Sequence, residues 1–246
     1  LRGARQRGLW AWYRNGAGMD RYLFLIPLLP LLASGFNLLV SRKYFPEKSH
    51  IFAIAGVAAS FVLSVLVFRD INDGKGPLTQ HIWEWIGSGA FHSEVGFYVD
   101  QLTAVMIVMI TFVSTLVHIY SVGYMHGDKS YYRFFSWLPL FVFTMLVLVL
   151  ADNYLLMFLG WEGVGLCSYL LIGYYHKRRS AANAAKKAFI VNRIGDVGFG
   201  IGIMAIFTTF GTISFAGEHG VFALVGEGSA SERTLTMIGL LLFTGA

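Results

Sequence analysis

YLLMFLGWEGVGLCSYLLIGYY, residues Tyr154 to Tyr175, is the stretch that decides the fold. It is long enough to cross a bilayer as a helix, which takes about 20 apolar residues, and it carries a single acid, Glu162. At 1.5 Å per residue that acid would sit roughly 12 Å inside the hydrocarbon, where an acidic side chain costs about 2.5–3.5 kcal/mol. A carboxylate held at that depth points to function. The next apolar stretch, AFIVNRIGDVGFGIGIMAIF, repeats the pattern with Arg193 and Asp196, so two neighbouring spans carry ionisable groups near mid-depth. Together they suggest proton or ion traffic through a membrane.

Composition agrees with a polytopic membrane protein. The chain is 56% hydrophobic and only 13% charged, with mean hydropathy +0.60, whereas soluble domains are nearer one quarter charged. Its net charge of +5 does not mark a nucleic-acid binder, because the basic residues are spread between apolar runs and not gathered on one face. Cys167 is the only cysteine. Disulfides and paired-cysteine metal sites are therefore excluded, and Cys167 reads as a small buried hydrophobe.

Apolar runs predict spans at about 22–40, 50–68, 102–121, 134–150, 154–175 and 188–210, with a seventh starting near Thr234. That seventh run is shorter than a span, and the chain opens on Leu1 and not on Met, so the sequence reads as a fragment. No secretory cleavage site is evident after the first run. Loops joining spans 1–2, 3–4 and 5–6 hold Arg42, Lys43, Lys48, Lys129, Arg133, Lys177, Arg178, Arg179, Lys186 and Lys187, against Arg69, Lys75 and Arg233 in the alternate loops. The first set should be cytoplasmic. Arg2, Arg5, Arg7, Arg14 and Arg21 oppose this bias; if Met19 is the natural start, residues 1–18 are an extension outside the fold. The domain reading is then 1–18 as extension, 19–133 for spans 1–3 and an outer hairpin, and 134–246 for a bundle starting at span 4.

The hairpin is expected in HIWEWIGSGAFHSEVGFYVD, where alternating aromatics flank a GSG turn and Trp83 and Trp85 suit the membrane interface. His81 and His92 lie on it eleven residues apart, without a second ligand pair nearby, and read as surface histidines.

Glycines Gly160, Gly163 and Gly165 surround Glu162. Small residues let helices approach closely, so the carboxylate should face the bundle and not lipid. Burial and a neighbouring cation act oppositely on a carboxylate's hold on its proton, which leaves it able to gain and lose one. A structural ion pair is the alternative. Arg193 and Asp196, three apart on one helical face, can pair locally, either to neutralise each other or as part of a relay. Lys186 and Lys187 are interfacial anchors or, alternatively, groups at a proton entrance. His118 in span 3 could shuttle protons, since imidazole titrates near neutrality; a helix-packing histidine fits equally. The glycines of VGFGIGI sit inside a span with no strand before them, so they serve helix packing and not a dinucleotide loop.

Three stretches, FYVDQLTAVMIVMITFVSTLVHIYSVGYMHGD, LVLADNYLLMFLGWEGVGLCSYLLIGYY and AAKKAFIVNRIGDVGFG, resemble in order and spacing the L subunit of bacterial NADH:quinone oxidoreductase, respiratory complex I, equivalent to mitochondrial NADH dehydrogenase subunit 5. The resemblance runs from about Met19 to Ala246. It implies an all-α polytopic fold, an antiporter-like transmembrane bundle with the first of two inverted repeats, and a proton-pumping subunit of a bacterial inner membrane enzyme. It further implies no cofactor in this chain, with NADH, FMN, iron–sulfur clusters and quinone in partner subunits, and other membrane-arm subunits, protons and lipid as partners. In that family the glutamate of the Trp-Glu-Gly motif trades a proton with a lysine on the discontinuous seventh helix; Glu162 is the matching position, and the lysine is expected beyond Ala246. Asp196 and Arg193 match the Arg-Ile-Gly-Asp positions, and His118 and Lys187 complete the candidate site. Alternatives on the same fold are the large subunit of a multisubunit Na⁺/H⁺ antiporter or membrane-bound hydrogenase, a carbon-uptake complex, or a membrane scaffold without transport.

Overall fold

The computed structural model describes residues 19–88, 91–217 and 220–245; the expected extension over residues 1–18 lies outside them. Among the described residues, six helices are long and apolar enough to cross a membrane. They are α1 (Met19–Tyr44), α2 (Ser49–Asn72), α3 (Gln101–Tyr124), α4 (Tyr131–Leu150), α5 (Tyr154–Ile172) and α6 (Arg179–Phe210). Two shorter helices follow, α7 (Val221–Gly226) and α8 (Glu232–Phe243), the latter where the seventh run was expected. The largest shift in a boundary is at α6, which starts at Arg179 and not near residue 188. Residues 181–185 are four alanines and an asparagine, strong helix formers in the main. Lys186 and Lys187 therefore lie within the helix and not in a loop before it.

Prolines inside helices dictate much of the packing. Pro30 in α1 has no N–H, so the Ile26 carbonyl one turn earlier loses its helical partner; Ser60 of α2 donates its hydroxyl to that oxygen at 2.7 Å. Pro139 in α4 frees the Phe135 carbonyl in the same way, and the Asn37 amide of α1 donates to it at 2.8 Å. The same amide donates to the Ser49 carbonyl at 2.9 Å. In a lipid environment an unpaired backbone carbonyl has no water to turn to. These side chains consequently tie α1 to α2 and α4.

Polarity is inverted relative to a soluble protein. Ser49, Ser60, Ser64 and Thr111 are fully buried, while Leu102, Met109 and Tyr120 on α3 are mostly exposed. The buried hydroxyls donate within the helix as well, Thr111 to the Ile107 carbonyl at 2.6 Å and Ser64 to that of Ser60 at 2.8 Å. Helix α1 packs on α2 and α4, α2 also on α3, α4 on α5, α5 on α6, and α6 on α8.

Between α2 and α3 the chain forms β1 (Leu78–Ser88) and β2 (Phe91–Val99), antiparallel, with Leu78 opposite Val99 and Ser88 opposite Phe91. The hairpin is longer than expected. β1 has 11 residues to the 9 of β2, and the excess is taken up by two register shifts, between His81 and Trp83 and between Glu84 and Ile86. His81 pairs across the strands with Glu94 and His92 with Glu84, each at 3.1 Å, and among the described residues no group of three potential ligands forms a metal site.

Helix ends gather in two sets. At one end the hairpin holds α1 through Phe24 N–H to Gln80 Oε1 at 2.8 Å and holds the α4–α5 junction through Asn153 Nδ2 to the Glu94 carbonyl at 2.8 Å. At the other, Tyr174 donates to Asp128 Oδ1 at 2.7 Å and Arg133 to the Tyr174 carbonyl at 2.9 Å. The basic loops share this second end, as the charge count requires.

Candidate functional site

Asn153 caps α5 by accepting from Leu155 N–H and Leu156 N–H at 3.1 and 2.9 Å. The capped helix then turns its glycines toward α4. A Cβ on Gly160 would come 2.5 Å from the Leu148 backbone nitrogen, and one on Gly163 would come 2.6 Å from Thr144 Cγ2, so only glycine permits this separation. With that face taken, Glu162 is directed to α6, where its Oε2 forms an ion pair with Arg193 Nη1. Gly165, one turn on, makes room for the guanidinium: a Cβ there would lie 3.2 Å from Arg193 Nη2.

Arg193 Nη2 also lies 3.0 Å from Asp196 Oδ2. The contact is an ion pair without hydrogen-bond alignment, and among the described residues both Asp196 oxygens and Arg193 Nε have no hydrogen-bond partner. Asp196 is only 6% exposed, against 27% for Glu162 and 33% for Arg193. The guanidinium stacks over the Phe189 ring, 4.9 Å from its centroid. The local Arg193–Asp196 pair expected from spacing is present, and the same arginine bridges to Glu162 on the neighbouring helix. Beside them is a cavity of about 300 Å³, lined by Trp161, Ser168, Asn192, Arg193 and Asp196 among others. Two carboxylates face one guanidinium that stays protonated at any physiological pH, so the cluster has one negative charge in excess, which a single proton neutralises.

The other two candidates lie apart. His118 is fully buried in α3, its Nδ1 2.7 Å from the Ser114 carbonyl and its Nε2 without a hydrogen-bond partner, with its ring against Phe135 at 6.5 Å. No residue of α3 lines the cavity. Lys187 is exposed on α6, about 9 Å along the axis from Arg193 on the side of the basic loops, and does not line it either.

Two polar groupings escaped the sequence reading. Asp128, between α3 and α4, accepts from Ser130 N–H at 2.7 Å and from the hydroxyls of Tyr174 and Tyr175 at 2.7 and 3.3 Å. Burial pushes its carboxyl up, but these hydrogen bonds and the Arg133 charge outweigh it and hold Asp128 below its ordinary value. Arg133 itself lies over Trp137 and Tyr174, about 5 Å from each ring. At the opposite end, Asp152 accepts from Asn153 Nδ2 at 2.6 Å; burial raises its carboxyl above the usual range, with Glu94 adding to the effect and the Asn153 hydrogen bond opposing it. An asparagine directly before an apolar run is an N-cap signal and would have located Asn153. Nothing in the sequence brings Asp128 to two tyrosines almost fifty residues away.

Residues 85–135 match the family described as NADH-ubiquinone oxidoreductase (complex I), chain 5 N-terminus, and residues 151–246 match the NADH:quinone oxidoreductase/Mrp antiporter transmembrane family. NADH-quinone oxidoreductase subunit L of Mycobacterium tuberculosis is 43% identical over 228 residues, 92% of this chain and 35% of that protein. NADH-ubiquinone oxidoreductase chain 5 of Metridium senile is 42% identical over 221 residues, 90% of this chain and 36% of its own length. The chain thus spans about a third of the length of these curated relatives. Among solved structures, an archaeal membrane-bound sulfane sulfur reductase superposes with TM-score 0.76 at 17% identity, covering 91% of this chain and 44% of that one. The Mrp complex from Dietzia superposes with TM-score 0.71 at 19% identity, covering 91% and 23%. These two likenesses establish the fold, an antiporter-like bundle of membrane helices.

Proposed function

The chain belongs to the family of complex I chain 5 (subunit L) and Mrp antiporter-type membrane subunits, and we propose that it carries protons across a bacterial inner membrane as part of NADH:quinone oxidoreductase. In this reading the bundle that starts at α4 moves the proton, and electron transfer in partner subunits, which hold NADH, FMN, iron–sulfur clusters and quinone, supplies the driving force. The observation that supports it is the Glu162–Arg193–Asp196 cluster, set between two membrane helices beside a cavity that Ser168, Asn192, Arg193 and Asp196 line in part. A charge cluster at that depth is costly for a scaffold that merely packs.

The chemistry follows from the excess charge. Arg193 touches both acids, so a small displacement of the guanidinium toward Asp196 leaves Glu162 without its cation. Glu162 then takes a proton; return of Arg193 expels it. The lysine implied by the family resemblance would act on Glu162 as a second cation of the same kind. Ser168 and Asn192 give water in the cavity hydrogen-bonding partners on the side of the basic loops, which makes that side the entrance.

Glu162→Gln in the complete protein tests the proposal, since the amide keeps size and hydrogen bonding and removes the titratable proton. The complex should assemble, while coupled proton pumping falls by on the order of a hundredfold, the usual weight of a positioned acid–base group. Glu162→Asp should be milder. Intact pumping with lowered stability alone would make Glu162 a packing ion pair and favour the scaffold. A pumping rate that follows external Na⁺ instead of pH would favour the Na⁺/H⁺ antiporter.

A further inference from the structure

One turn outward of Asp196 the chemistry of the α5–α6 seam changes abruptly. Phe199, 4% exposed, stacks with two nearly parallel rings of α5, Trp161 at 5.4 Å and 17° and Phe158 at 5.7 Å and 14°. Trp161 also lines the cavity beside the charge cluster, so the stack borders the cavity. Beyond it, toward the hairpin, the packing continues with Ile203, Ile213, Leu155 and the Phe91–Phe207 pair, whose rings meet edge to face at 5.0 Å. The seam is asymmetric. On the side of the basic loops Ser168 and Asn192 open onto the cavity, and the aromatic closure there is Tyr169 against Phe189.

A proton crosses a protein along hydrogen-bonded groups or ordered water, and a buried water needs two to four polar partners. From Asp196 to Ile203 the helix rises about 10 Å, and its own side chains over that rise, Val197, Phe199, Ile201 and Ile203, offer none. We infer that the Phe199 ring, stacked with Trp161 and Phe158 of α5, is the outer seal of the Glu162–Arg193–Asp196 cluster, an apolar insulator that stops the cluster's proton from leaking to the hairpin face. The inference rests on the proton-carrying reading above. It assigns Phe199 a positioning role: the ring touches no proton but sets the side to which the cluster is open.

The test is passive proton leak in membrane vesicles carrying the complete complex, with electron transfer blocked by inhibitor. Phe199→Ser removes the ring and adds a hydroxyl next to the cavity; leak should rise on the order of tenfold, a barrier drop of about 1.4 kcal/mol. Phe199→Leu keeps an apolar plug and should stay tight. Adding Glu162→Gln to Phe199→Ser should abolish the extra leak, because the proton then has no cluster to pass through. If Phe199→Ser fails to assemble, Phe199→Tyr decides, since it keeps the stack and adds only a hydroxyl, which should raise the leak. Unchanged leak in the assembled variant, leak that survives Glu162→Gln, or equal leak of K⁺ from a loosened bundle would each overturn the seal. The two proposals fail separately: intact pumping in Glu162→Gln removes the proton carrier, whereas lost pumping in Glu162→Gln with a tight Phe199→Ser removes only the seal.

Discussion

Ser60→Ala should destabilise the bundle only because Pro30 is present. Ser60 is fully buried, and its hydroxyl donates at 2.7 Å to the Ile26 carbonyl that Pro30 leaves without a helical N–H. Removing the hydroxyl strands a carbonyl in an apolar interior, at a cost of about 1–3 kcal/mol. Its weaker contact with the Gly56 carbonyl, 3.2 Å within its own helix, adds little, because Ser60 N–H lies one turn on and serves that oxygen in any case. In a Pro30→Ala background residue 30 regains its N–H and can donate to Ile26, so Ser60→Ala should then cost less than about 0.5 kcal/mol, the range of an ordinary substitution. The coupling energy between the two sites is therefore roughly 0.5–3 kcal/mol. Thermal unfolding of the wild type, both single variants and the double variant in one detergent measures it. Equal cost of Ser60→Ala in both backgrounds would show that the hydroxyl does not stand in for the missing proline N–H.

Arg193→Gln leaves two carboxylates facing each other, one of them 6% exposed, and should cost about 3–5 kcal/mol as a broken buried pair; adding Glu162→Gln and Asp196→Asn should recover most of that, measured by assembly yield and melting temperature. Gly160→Ala puts a Cβ 2.5 Å from the Leu148 backbone nitrogen and should cost about 1–3 kcal/mol through forced separation of α4 and α5. Gly200→Ala meets nothing within 4 Å and should be neutral or stabilising by up to about 1 kcal/mol; equal effects at the two glycines in thermal melts would contradict the packing. Asp128 has its proton affinity lowered in the fold, so its contribution is present above about pH 4, its unfolded value, and is lost as pH falls through the folded value. Asp128→Asn should therefore lower stability at neutral pH and remove that acid-side loss in pH-dependent melts. Single cysteines at Ser180 and Ser88, both exposed, in a Cys167→Ser background should react with an impermeant thiol reagent from the side of the basic loops and from the hairpin side respectively; reversed labelling would invert the orientation.

Membrane insertion, the number of long helices and the alternation of their ends were all legible in one dimension, because lipid imposes its length and polarity rule on each span separately. The acid in Trp-Glu-Gly and the Arg193–Asp196 pair were legible for the same reason: an ionisable group inside an apolar run stands out wherever the fold places it. The glycines around Glu162 and in VGFGIGI announced close packing, and Gly160 meets the backbone of α4 while Gly202 meets Leu242 of α8. What the linear order could not show was partnership between segments distant in sequence. Pro30 and Pro139 are plain in the sequence, yet the side chains that satisfy their freed carbonyls lie 34 and 98 residues away from those oxygens. Likewise Arg193 had a local partner three residues on, and only the antiparallel packing of α5 on α6 brought Glu162 to it as well. His118 and Lys187 stand apart from that cluster, since no residue of α3 lines the cavity and Lys187 lies nearer the end of α6 that starts at the basic loop. The aromatic stack on Phe199 is invisible in sequence because its three rings come from two helices running in opposite directions. Hydrophobicity is a property of each residue and can be read one position at a time; a charge balance, a hydrogen-bond partner or a seal belongs to a place in space, and only the tertiary structure decides which residues meet there.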